Sequence, residues 1–281
     1  MIEINPRPGI SQELTAAAFG DRPQMWPLPS ASDPQCLWLR AVVAGGQGRY
    51  ASAFWDLAEI GRSPGTSRWS SLAHSAHGSF LRQLGWHGLA RRWDGRALAL
   101  AGDDIEARCD ALTGLAADAL GIGRFAVAAT LLDRLSEPEF ADADTDTDAD
   151  GPVGRLAVRQ QWVRAELAMV TGDGAAAVRH AREAVERAAA LPGQRHRIKS
   201  TVVLAAALCA AGDVEGARLV GAQALAQSAD YGLIPLRWAS ACLLIDIGTV
   251  TVAPQQVRKL IEIRDICADQ VSRNGGIWRF G

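Results

Sequence analysis

The sequence predicts an all-α protein built from stacked pairs of helices. A short element recurs along the chain, and apolar residues recur at helical spacing between its copies. In this element a Gly is followed five residues later by an Ala. The six copies are GQGRYA (Gly46–Ala51), GWHGLA (Gly85–Ala90), GIGRFA (Gly121–Ala126), GDGAAA (Gly172–Ala177), GDVEGA (Gly212–Ala217) and GTVTVA (Gly248–Ala253). Self-similarity at such a period is the sequence signature of repeat folds.

The spacing of the element indicates one helix pair per copy. Successive glycines are 39, 36, 51, 40 and 36 residues apart, and the long interval contains an acidic insert. The glycine is expected where one helix ends and the chain reverses, in the left-handed conformation. Seven residues after the Ala, two helical turns on, a second small residue lies on the same helix face. This second residue is Ala58, Ala97, Ala184 or Ala224, while the third and sixth copies have Asp133 and Leu260.

These segments resemble tetratricopeptide repeats, whose pattern contains a Gly-Asp-Tyr-x-x-Ala turn and a later Ala. The resemblance covers roughly Asp33 to Asn274. It implies a right-handed superhelix of about six helix-turn-helix repeats, with a period longer than the family's usual ~34 residues. The longer period is similar to that of the helical-repeat domains of some large bacterial transcription regulators.

Turn signals and periodicity divide the chain into three parts. Residues 1–32 contain five of the twelve prolines and are expected to run extended. Residues 33–274 form the repeats, and residues 275–281 form a tail whose Trp278 and Phe280 either fold back or remain exposed. The predicted helix pairs are 34–45 with 49–61, 67–84 with 88–101, 103–119 with 123–136, 154–171 with 174–190, 195–210 with 213–229, and 235–247 with 254–273.

Cationic side chains recur at one register of the first helices. Counting back from each turn glycine, repeats three to five carry Arg108, Arg159 and Lys199, and Arg82 and Trp162 lie on the same set of helices. The resemblance implies that this face lines a concave groove. A cationic strip with an aromatic ring suits an acidic or carboxylate-ended peptide, because arginine binds carboxylates through two parallel hydrogen bonds. The alternative is that these charges are solvated on helix surfaces.

The insert 137–151, EPEFADADTDTDADG, is strongly acidic. One hypothesis is that it occupies the groove and competes with an acidic partner, through Asp142, Asp144, Asp146, Asp148 and Asp150. The alternative is a self-repelling loop without fixed structure. Its DTDADG sequence matches the first half of an EF-hand loop. The twelfth position, which must supply a bidentate Glu, is Ala157, so no calcium site is expected.

No pattern indicates catalysis, a cofactor or a metal. His74 and His77 have a spacing that could hold zinc, but no Cys or carboxylate accompanies them nearby. Nucleophile-elbow, phosphate-loop and HExxH patterns are missing from the sequence. The sequence therefore predicts a non-catalytic protein without a cofactor.

Composition narrows the expected location and partners. A net charge of −2 gives no bulk attraction to nucleic acid or anionic membranes. The longest apolar run, Val202 to Ala211, is too short to span a bilayer, and the first residues do not resemble a signal peptide. Five scattered cysteines are typical of reduced thiols in the cytoplasm. Basic residues that are nearly all arginine, together with abundant alanine, indicate a bacterial protein.

The leading functional prediction is a cytoplasmic adaptor that binds a protein or an acidic peptide in its groove. The alternative is a ligand-sensing regulator that acts on transcription through a partner. An enzyme with a pocket inside the stack has the least support, and converging buried titratable side chains would favour it.

Overall fold

The computed structural model describes residues 9–62, 67–137, 152–248 and 254–279. Within these ranges the chain forms thirteen α-helices and no strand, which confirms the all-α prediction for this part of the chain. Twelve helices form six consecutive pairs, and every observed boundary lies within two residues of its predicted position. The pairs are α2 (Pro34–Gly46) with α3 (Tyr50–Arg62), α4 (Ser67–Gln83) with α5 (His87–Leu100), α6 (Ile105–Gly121) with α7 (Phe125–Arg134), α8 (Pro152–Val170) with α9 (Gly174–Ala189), α10 (Gln194–Ala210) with α11 (Val214–Asp230), and α12 (Ile234–Gly248) with α13 (Pro254–Arg273).

Aspartate caps explain where four of these helices begin. A carboxylate just before the helix accepts a hydrogen bond from the backbone N–H three residues on, which satisfies one of the free donors of the first turn. The caps are Asp33 on Cys36, Asp104 on Ala107, Asp173 on Ala176 and Asp213 on Gly216, at 2.8–2.9 Å.

Each pair packs on the next, which produces two layers. The first helices of the pairs, α2, α4, α6, α8, α10 and α12, contact one another in succession and form the inner layer. The second helices contact their own partner and the first helix of the following pair. This arrangement is that of a helical repeat protein, and its right-handed twist stays a prediction.

The turn glycines confirm the repeat and correct its register in two copies. Gly85, Gly172 and Gly212 have positive φ angles as predicted. In the first and third copies Gly48 and Gly123 take this conformation, because the inner helices continue through Gly46 and Gly121. In all five of these copies the outer helix then begins two residues after the left-handed glycine.

The corrected register identifies the true close-packed positions. Five residues after each left-handed glycine stands an alanine with no exposed surface: Ala53, Ala90, Ala128, Ala177 and Ala217. Ala51, Ala58, Ala126 and Asp133, which the uncorrected register places there, are exposed. In the segments GGQG and GIG two glycines stand close together, so the sequence alone allowed either of them to be the left-handed turn residue. The burial of Ala53 and Ala128 distinguishes the two possibilities.

The prediction that residues 1–32 lack regular structure is wrong in part. Ile10–Phe19 forms helix α1, which lies in the Pro-free stretch between Pro8 and Pro23. Leu14 and Ala17 are buried in the main core, so α1 is an integral part of the fold. It contacts α2 of the first pair and α10 of the fifth, and the N–H of Gln194 donates to the carbonyl of Gly20 at 3.1 Å.

The last pair packs against the first, so the stack closes into a ring. Ile234 and Val271 belong to the same hydrophobic cluster as the residues of α2 and α3. The backbone N–H of Ala51 donates to the carbonyl of Asn274 at 2.8 Å. Contacts between residues more than two hundred positions apart therefore hold the two ends of the repeat region together.

The C-terminal tail strengthens this closure. Trp278 folds back, its ring lying 4.4 Å from that of Trp238, and its indole N–H donates to the carbonyl of Ala268 at 3.2 Å. The N–H of Arg279 donates to the carbonyl of Leu84, and the Trp86 indole donates to the carbonyl of Ile277. Phe280 lies outside the described residues.

Replacing Trp278 by Ala tests the docking of the C-terminal tail. The substitution removes a half-buried ring and its hydrogen bond, and we expect the free energy of unfolding to fall by about 2 kcal/mol. Ile277→Ala is the matched control, since Ile277 is 72% exposed, and we expect a change within about 0.5 kcal/mol. Denaturant titration measures both values, and equal effects of the two changes would contradict the docking of the tail through Trp278.

Candidate functional site: a cationic cavity at the centre of the ring

A cavity of about 340 Å³ lies where the six inner helices converge. Every pair contributes to its wall. Helix α8 shows how one helix face supplies several lining residues, because Arg155, Arg159, Trp162 and Glu166 recur three or four positions apart and share one side of the helix. Ring closure is what turns the inner layer into the wall of a cavity.

Four of the five predicted partner-binding residues line this cavity. Arg82, Arg159, Trp162 and Lys199 come together there although they lie on three different helices. Arg108 does not line the cavity. Asp110, two positions further along α6, does line the cavity. Side chains two positions apart on a helix differ in direction by about 200°, so Arg108 lies on the opposite face of α6.

Most of the lining cations are ion-paired, so they are not free solvated charges. Arg155 contacts Glu106 at 2.6 Å and Asp110 at 3.7 Å, and Arg159 pairs with the same Asp110. Burial and then the positive charge of Arg82 together lower the pKa of Arg159 to about 10, so Arg159 stays charged at neutral pH. The ion pairs hold the guanidinium groups of Arg155 and Arg159 in place at the cavity wall.

Lys199 and Glu166 form a more open pair at 3.4 Å. Both side chains retain about a third of their accessible surface, 32% each, and the Lys199 ammonium lies 5.9 Å from the centre of the Trp162 ring. An ion pair with this exposure contributes little to stability. Its place on the wall leaves both groups available to an incoming molecule.

Arg82 is held by two buried carboxylates, Asp94 and Asp118, neither of which has exposed side-chain surface. Asp118 accepts from Arg82 at 2.9 Å, and Asp94 accepts from the same nitrogen. Burial raises the pKa of Asp94 to about 8, opposed by Arg82 and assisted by Asp118. Burial also raises the pKa of Asp118. Burial thus favours a protonated form of this carboxylate pair over the doubly ionised form.

Two glycines make room for the Asp94 side chain. A Cβ atom at Gly114 would lie 2.2 Å from an Asp94 carboxylate oxygen, and one at Gly78 would lie 2.3 Å from the other oxygen. Helices α4 and α6 thus approach the carboxylate of α5 so closely that no side chain fits between them. This close approach positions Arg82 at the cavity wall.

Arg195 differs from the other lining cations, because within the described part of the chain it has no ion pair and no side-chain hydrogen bond. Burial lowers its pKa, and the charge of Arg155 acts in the same direction. Its side chain lies over Gly46, where a Cβ would be 3.4 Å from Cδ of Arg195. Gly46 ends α2, and the negative end of that helix dipole offsets part of the cost of the buried charge.

Aromatic side chains form much of the remaining wall. The Trp162 ring stacks on His196 at 5.6 Å, and its indole N–H donates to the Ser200 hydroxyl at 2.8 Å. Burial, followed by the charges of Arg195, Arg155 and Arg159, holds the pKa of His196 well below its usual value. His196 is therefore neutral and presents an aromatic surface to the cavity.

Helix α1 lies over one side of the cavity. Its last residue, Phe19, contacts Trp38 at 5.4 Å and His196 at 6.1 Å, and the Arg155 guanidinium lies 5.3 Å from its ring centre. These four side chains also line a second cavity of about 170 Å³. Phe19 and its neighbours thus separate two adjoining spaces under α1.

The sequence alone did not identify several of these residues. Phe19 lies in a segment expected to be extended, and Asp94 and Asp118 lacked any motif. Gly114, which packs against the Asp94 carboxylate, was recognisable in the sequence only as a glycine inside a predicted helix, a position that often permits close packing. Arg195 had no sequence signal that separated it from the other arginines, because its lack of a carboxylate partner depends on tertiary contacts.

The two histidines considered for zinc have packing roles. His77 stacks on Trp93 with ring centres 3.6 Å apart and contacts Phe54 at 4.4 Å. Burial, and then the neighbouring His74, lowers the pKa of His77 to about 4. Among the described residues no group of three or more His, Cys, Asp or Glu side chains is arranged to hold a metal ion.

The acidic part of the insert lies outside the described residues. Asp142, Asp144, Asp146, Asp148 and Asp150 lie outside the described residues, so their competition with an acidic partner stays a prediction. In the described ranges no helix combines the length and apolar character needed to cross a membrane.

Comparison with known proteins gave no family assignment. No protein-family model matches the chain. A search of curated proteins also gave no match. The tetratricopeptide resemblance therefore rests on the repeat pattern, and function has to be argued from the cavity.

Gly114→Ala tests the space reserved for Asp94. The added methyl group displaces a buried carboxylate from Arg82, so we expect a loss of about 2–4 kcal/mol in unfolding free energy. Gly95→Ala, at an exposed position of α5, is the matched control, because nothing lies within 4 Å of its added Cβ. Helix propensity predicts that the control gains about 0.5–1 kcal/mol. A loss of similar size in both variants would contradict the proposed packing.

The raised pKa of Asp94 predicts a pH dependence of stability. The folded pKa of Asp94, about 8, exceeds its ordinary value of 3.8, so the folded state binds a proton that the unfolded state has released. Stability should therefore fall as pH rises from 6.5 to 8, by up to about 1.4 kcal/mol per pH unit. Below pH 6.5, histidines with lowered pKa values give the opposite slope, because the unfolded state binds their protons more tightly than the folded state does. These are His77, His87, His180 and His196.

The variant Asp94→Asn separates this contribution from the others. Asn has the shape of the protonated acid and does not titrate, so we expect a flatter profile between pH 6.5 and 8. Asp133→Asn on the exposed face of α7 serves as the control and should keep the wild-type slope. Denaturant midpoints across this range measure the effect, and an unchanged slope in Asp94→Asn would disprove the assignment.

Proposed function

We propose that this protein is a ligand-sensing regulator that binds a small organic anion in its central cavity and transmits the bound state to a partner protein. The observation that carries the proposal is Arg195, a cation that faces the cavity without an acidic partner in the described part of the chain. Arg195 is only partly buried, so a guanidinium without a carboxylate partner is left accessible to a ligand that supplies the opposite charge.

The size of the cavity favours a small molecule over an extended peptide. Small-molecule sites commonly measure about 300–1,000 Å³ and combine apolar walls with a few placed polar groups. The cavity has about 340 Å³ and this kind of wall. An adaptor that holds an acidic peptide along an open groove remains a prediction. It has less support, because Arg82, Arg159 and Lys199 are already paired with carboxylates of the chain.

Closure of the ring offers a route by which a ligand could influence a partner. Inner helices from all six pairs contact the cavity, and the joint between the first and last pairs lies next to it through Pro235 and Trp238. A ligand that bridges these helices stabilises the closed ring relative to an opened one, and a partner that distinguishes the two forms responds to it. The proposal does not require a DNA-binding segment in this chain.

Substitution of Arg195 by Met tests the proposal through both binding and stability. Removing an unpaired, partly buried cation should leave the ligand-free protein equally stable or up to about 1 kcal/mol more stable, as found for strained functional sites. The control Arg155→Met removes a buried arginine shared by Glu106 and Asp110, which keep only Arg68 and Arg159 as partners, and should lose about 1.5–3 kcal/mol. Arg91→Met, on an exposed position of α5, should change little.

Ligand binding is measured by thermal shift with a panel of small carboxylates and phosphate esters, and by native mass spectrometry of protein purified from its host. A ligand at 100 times its Kd should add about 2.7 kcal/mol to wild type and to Arg91→Met. Arg195→Met should show no such gain. If no small anion stabilises the wild type, or if Arg195→Met responds equally, the proposed function is wrong.

A further inference from the structure

The charges around the cavity indicate how many negative charges its ligand carries. The pairs along one wall form a continuous network in which three arginines meet three carboxylates. The members are Arg68, Arg155 and Arg159 with Asp104, Glu106 and Asp110. This network is neutral as a whole, so it contributes hydrogen-bond donors to the cavity but no net charge.

Two further cations of the wall are also paired. Lys199 is paired with Glu166, and Arg82 is paired with Asp94 and Asp118. Among the described arginine and lysine side chains that line the cavity, Arg195 is therefore the one without a carboxylate partner. One unpaired cation matches a monoanion and leaves a dianion such as a phosphate monoester without a second unpaired cation.

The geometry of arginine favours a carboxylate as the anionic group. A guanidinium presents two parallel N–H donors that fit the two oxygens of a carboxylate. Arg195 makes no other hydrogen bond in the described part of the chain, so both donors remain available. Its stem rests on Gly46, which limits the directions that its head can take.

The walls next to Arg195 favour an aromatic body for the ligand. The neighbouring residue, His196, is neutral and stacks with Trp162, and Phe19 and Trp38 continue this aromatic surface. Offset stacking and edge contacts between rings are worth more than the same area of aliphatic contact. A cavity of about 150 Å³ holds one benzene molecule, so roughly two rings with a carboxylate fit into about 340 Å³.

Resting on the function proposed above, we propose that the ligand is an aromatic monocarboxylate, with its carboxylate on Arg195 and its rings against Trp162. The juxtaposition of one unpaired guanidinium with a continuous aromatic wall carries the assignment.

Calorimetry on the full chain with 2-naphthoic acid and three matched probes tests this assignment. 2-Naphthamide keeps the shape without the charge, naphthyl phosphate adds a second charge, and decanoate keeps the carboxylate without the rings. We expect 2-naphthoate to bind most tightly. The amide should bind roughly 10- to 100-fold more weakly, since it loses charge-assisted hydrogen bonds.

Variants locate the two parts of the ligand. Arg195→Met should reduce the affinity for naphthoate to that of the amide and leave the amide unchanged. Trp162→Leu should weaken both naphthyl ligands, whereas Trp55→Leu, at a 65% exposed position on α3, should weaken neither. If Trp162→Leu does not fold, Ala117→Phe provides the second test, because Ala117 lines the cavity and a ring there occupies its volume.

The outcomes separate this inference from the proposed function. Equal affinity for the acid and its amide, or tighter binding of the phosphate or of decanoate, overturns the aromatic monocarboxylate. If that tighter binding depends on Arg195, the proposed sensor of small anions still stands. If neither these probes nor the wider panel of anions binds, both the ligand class and the proposed function fail.

Discussion

The contact between the last helix pair and the first is the constraint on which the rest of the structure depends. Helix pairs of this kind can stack indefinitely, and an open stack would expose its inner layer to water along a groove. Here Ile234 and Val271 join the core of the first pair, and the chain continues back over the second pair. Residues from six separate pairs consequently face one confined space.

Confinement changes the role of the charged residues on the inner helices. On an open groove, arginines are solvated, and their ion pairs contribute little. In the cavity each loses water, and a lone buried charge would cost several kcal/mol. The carboxylates Glu106, Asp110, Asp94 and Asp118 offset this cost. Asp94 and Asp118 share one arginine in a fully buried position, and the raised pKa of Asp94 reflects the cost of keeping both of these carboxylates ionised.

Local sequence patterns were sufficient to predict the positions of the helices but not the composition of the cavity. Turn glycines, caps and apolar periodicity depend on residues close together in the chain, and they placed twelve helices to within two residues. The register of the first and third turns required the packing of Ala53 and Ala128, because neighbouring glycines offered two solutions. Helix α1 was missed because flanking prolines outweighed a short amphipathic stretch.

The site depended on information that a single sequence does not hold. Arg159 and Lys199 were found by register, since one face of the inner helices is a local property, and Arg82 and Trp162 were named because they lie on the same set of helices. Arg108 was placed on that face by counting from Gly121, and because the left-handed residue is Gly123, that count was two positions out. Which cations have partners is decided by contacts across 30 or more residues, such as Arg155 with Glu106.

The position of Arg195 is difficult to explain by stability alone. It lies in the first turn of α10, where the helix dipole disfavours a cation, and burial adds to that cost. The C-terminal end of α2 at Gly46 compensates in part, but no carboxylate does so within the described residues. The neighbouring arginines show that this fold readily supplies carboxylates where structure requires them. The other arginine and lysine side chains that line the cavity, Arg82, Arg155, Arg159 and Lys199, each have a carboxylate partner. A residue that departs from this pattern is expected at a functional site, because its cost is offset only when a ligand is bound.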